Sequence, residues 1–232
     1  MPYFSYTTIL LILAVIITFA AQIKVSSAYK KYRAVSNRRG ESGAQAARKI
    51  LDSYGLSYVG IQMTRGKLSD HYSRKDRMVY LSEEVYAGSS LAAVGIAAHE
   101  VGHAIQHSTK YFPLSFKSVI TPVASISSRL SWILITIGFL LFYAPNGYLG
   151  LILIDIGILM YAAVLLFQTV TLPVEFNASK RARDCLISCG VIYGDELSGV
   201  RKMLSAAAFT YVAAMAATLL NLLRVILIRG RR

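Results

Sequence analysis

Only two cysteines, Cys185 and Cys189, occur among the 232 residues. They sit four apart on a segment of helical character and have no further partners, so neither a disulfide framework nor a Cys-based zinc knuckle is available. Helical burial in a reducing compartment is the ordinary use of such a pair, ahead of a second metal site. Acidic residues are scarce: 12 Asp and Glu stand against 25 Lys and Arg, giving a formal net charge of +13. That excess could draw nucleic acid, anionic lipid or acidic substrates. No nucleic-acid motif accompanies it, so nucleic acid is not an expected partner. Charged residues are 16% of the chain, while 55% is hydrophobic and the mean hydropathy is +0.49. A soluble protein seldom carries that much apolar surface, and membrane spans must absorb it. Repeats and low-complexity segments are absent.

The apolar residues are grouped. A charge-free run over 4–23 is long enough to cross a hydrocarbon core of about 30 Å. No basic residue precedes it and Lys24, Lys30, Lys31, Arg33, Arg38 and Arg39 follow it, the reverse of a signal peptide, so it reads as a first span with the N-terminus outside. Runs over 119–144 and 148–172, separated by Pro145-Asn146-Gly147, read as a transmembrane hairpin. It returns the chain to the side of the basic cluster Lys180, Arg181, Arg183, Arg201 and Lys202. The positive-inside rule makes that side cytoplasmic. A fourth apolar run, 203–228, would leave Arg229, Arg231 and Arg232 outside if it crossed, and it contains Asn221 and Arg224. Spanning and packing at the interface both remain open for it.

The polar segment 24–118 is expected to be a cytoplasmic domain, completed by 173–202. Ser42 and Gln45 fit a capping box ahead of Ala47, Ile50, Leu51 and Tyr54 at helical spacing, with Gly55 as the stop. Alternation at Val59, Ile61 and Met63 and the short run 78–81 predict a small sheet.

The residues that carry chemistry lie in 90–107, a helix-length segment with Ser89 or Ser90 as N-cap. At 100° per residue, Leu91, Val94, Ala98, Val101 and Ile105 share the face that buries. His99 and His103 lie on another face, about 40° and one turn apart, so both imidazoles can reach one Zn²⁺. Glu100 is offset beside them, where a carboxylate base for a metal-activated water is needed. Two ordinary histidines on an amphipathic helix are the bland alternative.

A catalytic zinc normally takes three protein ligands. His107 extends the series, but on a straight helix it lies about 80° and about 12 Å from His99, and no Gly turn brings it round as in the metzincin pattern. It is expected to support the structure around the site. Glu175, directly after the third span, is the best third candidate, because the hairpin brings it back to the face the chain left; a solvated interfacial Glu is the competing reading. Asp155 is the rival carboxylate, since an ionisable group inside a span demands a purpose. It would serve as ligand if the zinc helix lay within the membrane, as in site-2-type proteases, with cleavage there. Pairing with Arg129 is its structural alternative, although the two differ in depth by about 10 Å.

Two stretches then carry a family resemblance: Ala97-Ala98-His99-Glu100-Val101-Gly102-His103-Ala104-Ile105-Gln106-His107 and Leu172-Pro173-Val174-Glu175-Phe176-Asn177-Ala178-Ser179. Supporting pieces are Ser82-Glu83-Glu84-Val85-Tyr86 and Ala206-Ala207-Ala208-Phe209-Thr210-Tyr211-Val212-Ala213. Together they resemble the YugP-type neutral zinc metallopeptidases, multi-pass bacterial membrane proteins, from end to end. The resemblance implies a gluzincin-like metalloendopeptidase in the bacterial cell (inner or plasma) membrane, with one catalytic Zn²⁺ on His99, His103 and Glu175 and with Glu100 as base. His71 and Tyr211 are candidates for donating hydrogen bonds to the transition state, with packing as the competing role. One departure stands out: Ser73-Arg74 replaces the Asp-Pro of the family's Gly-x-Leu-Thr-Asp-His-Tyr-Asp-Pro stretch. The expected fold is a mainly α membrane protein with three to four transmembrane helices and a small α+β zincin-like domain. The expected partners are a peptide or protein substrate and the lipid bilayer. A zinc-stabilised, non-enzymatic membrane scaffold is the reading from another class.

Overall fold

Inside a bilayer the backbone has no water to bond, so long apolar stretches form helices that satisfy their own N–H and C=O groups. The structure is a computed structural model describing residues 2–142 and 147–230. In chain order it contains α1 (Pro2–Arg33), α2 (Gly43–Ser53), β1 (Gly60–Thr64), β2 (His71–Ser73), β3 (Met78–Ser82), α3 (Glu83–Ala87), α4 (Leu91–Ser108), α5 (Phe112–Phe142), α6 (Tyr148–Ser188) and α7 (Leu197–Arg229). Among the described residues, α1, α5, α6 and α7 are long and apolar enough to cross a membrane. The protein is therefore a mainly α membrane protein with a small α+β part. Of the turn expected at 145–147, Pro145 and Asn146 lie outside the described residues.

The long helices overrun the apolar runs on their polar sides. α1 continues past 23 to Arg33, α5 begins at Phe112 instead of 119, and α7 begins at Leu197 instead of 203. The largest departure is α6, which does not end at 172 but passes through Pro173 to Ser188. An internal proline forfeits a backbone hydrogen bond and costs about 3 kcal/mol. The continuation buries Val174, Ala178, Ala182 and Leu186, at four-residue spacing, completely. At about 1.5–3 kcal/mol for a buried Val or Leu, Val174 and Leu186 alone offset the proline.

The chain divides into two units. One comprises Met1–Ala21, Phe116–Leu172 and Thr210–Arg232. Its helices meet through glycines. A Cβ on Gly138 of α5 would stand 2.8 Å from the carbonyl oxygen of Gly150 on α6, and a Cβ on Gly150 would stand 2.6 Å from that of Gly138. Two turns further along α6, Gly157 lies against Ile135 and the Ser131 carbonyl. Lipid tails are as apolar as leucine, so close backbone approach through small residues is what favours helix association here. Ile135, Ile154 and Val225 fill the space beside this seam. Phe19, Leu140 and Leu159 are outward and exposed, as lipid-facing side chains are. The intraspan carboxylate Asp155 is held by Arg229, whose Nε and Nη2 each donate to one of its oxygens at 2.8 Å. The partner is thus Arg229 on α7, not Arg129, which lies exposed.

The second unit comprises Gln22–Ser115 and Pro173–Phe209. Its sheet has the order β1-β3-β2, with β1 parallel and β2 antiparallel to the central β3. Val59 is buried at the entry to β1, whereas Met63 is exposed, so the alternation expected there does not mark a single buried face. β2 is three residues long and left no pattern in the sequence. α2 carries both halves of the capping box between Ser42 and Gln45, and Gly55 takes φ +68° just after it. The start of α4 is fixed from outside: Leu91 N–H donates to Val35 O at 2.8 Å, Asn37 N–H donates to Ser89 O at 2.8 Å, and Ser90 caps Ala93. Ile50, Leu51, Val79, Leu81, Val94, Val101, Ile105 and Leu186 form a continuous core around α4.

If the glycine seam holds α5 to α6, a β-branched side chain must open it. Gly150→Val is expected to cost about 1–3 kcal/mol, lowering the thermal midpoint of the detergent-solubilised protein, while Leu149→Val at the exposed neighbouring position leaves it nearly unchanged. Equal midpoints for the two variants would show that the seam does not carry the packing.

Candidate metal centre

α4 buries the face of Leu91, Val94, Ala98, Val101 and Ile105, all at or below 4% exposure. This leaves His99 and His103 on the flank that faces α6. Their rings are T-shaped to each other with centroids 4.8 Å apart. Glu175 enters from α6, almost fully buried, with Oε2 3.3 Å from His99 Nε2 and 3.5 Å from His103 Nε2. One ligand atom from each of the three residues lies within 4.8 Å of the others, and among the described residues this is the one His/Cys/Asp/Glu group so arranged.

The approach of α6 depends on Gly102. A Cβ there would stand 2.7 Å from the Ala178 carbonyl oxygen and 3.2 Å from Ala178 Cα, so only glycine lets the helices come this close. Ala178 is one turn beyond Glu175, and its contact sets the depth at which Glu175 meets the imidazoles.

The outward nitrogens are anchored as well. His103 Nδ1 lies 3.0 Å from Gln106 Oε1, and an amide oxygen only accepts, so Nδ1 carries the proton and Nε2 offers its lone pair inward. Gln106 is fully buried; its Nε2 donates to Val174 O at 2.8 Å and to Asn177 Oδ1 at 3.0 Å. Asn177 Oδ1 also accepts from Arg181 Nε at 2.8 Å. His99 Nδ1 is 3.2 Å from Ser179 Oγ. Such outer hydrogen bonds fix the orientation and tautomer of metal-binding imidazoles. Two inward-facing Nε2 atoms and a carboxylate fit Zn²⁺, whose usual donors these are. Burial works against a charged His103, but the hydrogen bond to Glu175 and the charges of Glu100 and Glu175 outweigh it and raise the pKa of its imidazole. The cluster is therefore electron-rich and favours a cation. Glu100, 9% exposed, lies on the same helix beside it.

His107 Nδ1 sits 2.9 Å from the Tyr72 hydroxyl, joining the end of α4 to β2. Burial, with help from Arg74 and Arg77, lowers the His107 pKa, and burial raises that of Tyr72, so both are neutral near pH 7. His71 is exposed, stacks on Tyr80 at 4.8 Å and bonds Ser69 O through Nδ1 at 2.8 Å. Tyr211 on α7 and Asp155 on α6, the latter with its Arg229 partner, belong to the other unit. Ser73, at the family departure, closes a local turn with Asp76. Gln106, Asn177, Ser179 and Gly102 are the residues that sequence reasoning missed. Helical spacing held the signal for two of them: Gln106 is three residues beyond His103, and Ser179 is four beyond Glu175.

Four membrane-length helices and a three-residue cluster suited to zinc define a membrane protein with a candidate metal site. The family model described as "Putative neutral zinc metallopeptidase" matches residues 7–230, and the chain belongs to that family. It is 46% identical over 219 residues to the "Putative membrane protease YugP" of Bacillus subtilis (strain 168), covering 94% of each chain. No solved structure matches.

Gly102→Ala, which alters no ligand, is expected to push α6 away and reduce zinc retained by the purified protein about tenfold or more, as loss of supporting contacts at metal sites does. Unchanged zinc content would sink the role given to this contact. The pH dependence also has a definite sign. Zinc needs neutral imidazole, and because the His103 pKa is raised, protons compete from above the ordinary histidine range of about 6.5. Zinc retention should rise with pH through that raised value. Glu100→Gln removes one of the raising charges, so it should move the midpoint to lower pH, as read by metal analysis after dialysis across a pH series.

Proposed function

We propose that this protein is a zinc-dependent endopeptidase of the bacterial cell membrane that hydrolyses peptide bonds with Glu100 as general base. The observation that carries the reading is the convergence of two Nε2 atoms and the Glu175 carboxylate within 4.8 Å beside Glu100. His99, His103 and Glu175 would hold a single Zn²⁺. When bound, that ion supplies Lewis acidity toward a peptide carbonyl and toward water.

The chain's own groups do the remaining work. Gln106 and Ser179 keep the two imidazoles turned with Nε2 inward. Glu100 takes a proton from the attacking water and passes it to the leaving amine nitrogen. Its near-burial keeps that proton from bulk solvent and strengthens its interaction with developing positive charge. A scaffold that used zinc only for stability would have no need of this carboxylate. Because Glu175 directly follows the apolar run 148–172 and basic residues crowd 24–39 and 180–202, cleavage is assigned to the cytoplasmic membrane face. The substrate is a peptide or protein, including membrane-associated segments that reach that face.

Purified Glu100→Gln is expected to keep its zinc and lose cleavage of an unfolded reporter protein by about 10²-fold or more. Glu175→Gln should lose zinc, whereas Asp155→Asn should keep it. Persistent peptidase activity in Glu100→Gln would remove the base from the mechanism. Metal loss confined to Asp155→Asn would move the site into the membrane.

A further inference from the structure

Several basic side chains of the second unit have carboxylate partners: Arg33 with Glu84, Arg38 with Asp195, Arg48 with Asp52 and Lys49 with Glu41. Lys24, Lys31, Arg201 and Lys202 make no ion pair among the described residues and are exposed. All four line one groove of about 810 Å³ between α1 and α7, and no Asp or Glu lines it.

The groove follows from helical spacing. On α1, Lys24 and Lys31 are seven residues apart, two turns on one face, with Ser27 and Ala28 between them. On α7, Ser198 and Ser205 are likewise seven apart, with Arg201 and Lys202 between them. The small residues of each helix leave the hollow, and the basic residues border it. Tyr32 and Leu197 add apolar lining, and the Lys24 ammonium lies 4.5 Å over the Phe209 ring, which restrains it. Both walls fall where composition changes from polar to apolar. Lys24 directly follows the charge-free run ending at Ile23, and Arg201-Lys202 directly precede the apolar run beginning at Met203. In a membrane protein that boundary lies at the level of the lipid phosphates.

We propose that this groove binds the headgroup of an anionic phospholipid, with the lysines and Arg201 on the phosphate and the serine hydroxyls on the remaining headgroup oxygens. Guanidinium and ammonium groups are the usual phosphate partners. Four uncompensated positive charges also repel the cationic end of a zwitterionic headgroup, so the groove selects net-negative lipid. The proposal is independent of the metal centre.

The test uses the full-length protein in mixed micelles containing equal phosphatidylglycerol and phosphatidylcholine, with retained lipid counted by native mass spectrometry. Wild type should retain phosphatidylglycerol selectively. The combined variant Lys24→Gln, Lys31→Gln, Arg201→Gln, Lys202→Gln should lose that retention by at least about tenfold. A charge-matched control, Arg65→Gln, Lys67→Gln, Lys75→Gln, Lys110→Gln, should keep it. In unmodified protein, a photoactivatable phosphatidylglycerol should label peptides covering 24–32 and 194–206, which guards against a groove variant that fails to fold. Equal loss in both variants, labelling elsewhere, or no preference over phosphatidylcholine would overturn the assignment. Full displacement by millimolar inorganic phosphate would overturn it too, showing a free-anion site instead.

Discussion

The contact between Gly102 and the backbone of Ala178 is the constraint on which the rest of the candidate metal centre depends. A helix pair separated by ordinary side chains would leave Glu175 short of the two imidazoles on α4. With no Cβ at 102, the α6 carbonyl occupies the space a side chain would take, and one turn back the Glu175 carboxylate falls within reach of both Nε2 atoms. Ala97, Ala98 and Ala104, all buried, keep the rest of α4 equally slim. The continuation of α6 through Pro173 follows from the same contact, since the packed segment beyond the proline is the one that delivers Glu175 and Ser179.

Around that contact lies a buried polar network whose members satisfy one another. Gln106 bonds His103 with its oxygen and two acceptors of α6 with its nitrogen. Leaving any of these groups unpaired in the interior would cost about 1–3 kcal/mol. The network therefore fixes helix register as well as imidazole orientation. Its net electrostatic character is negative, since Glu100 and Glu175 together outweigh the burial that would keep His103 neutral. A cation resolves that imbalance, which is why the donor chemistry and the electrostatics agree. His107 takes no part, being turned to Tyr72 and serving to tie α4 to the sheet.

The membrane-spanning unit uses different means. Solvent exclusion gives little drive between apolar helices in lipid, so glycines at 138, 150 and 157 bring α5 and α6 into backbone contact. The two charges Asp155 and Arg229 neutralise each other across α6 and α7, which relieves the cost of carrying basic residues at the end of a fourth apolar helix. The scarcity of acids gives the remaining basic residues their significance: where carboxylates do not reach, as along the α1 and α7 groove, the charge is left for another partner.

The sequence by itself determined the helices and the inventory of chemistry. Run length and the absence of charge define membrane-length segments, and the 3.6-residue period places His99 and His103 on one flank of α4 while its apolar residues bury. Those are local properties, set by backbone hydrogen bonding and by which side chains share a face. Tertiary structure decided what local rules do not encode. Glu175 and Asp155 were both available carboxylates, and both lie on α6; Glu175 falls in the segment beyond Pro173 that meets the two imidazoles of α4, and Asp155 is engaged by Arg229, 74 residues away. The short strand β2 exists only because β3 pairs with it, and α6 ignores its proline because burial further along outweighs one lost hydrogen bond. The roles of Gly102 and Gln106 were equally hidden, since a glycine's importance lies in the backbone it admits and a buried amide's in partners brought to it by folding. Such interactions belong to pairs of residues distant in the chain, and their energies appear only when packing brings those residues together.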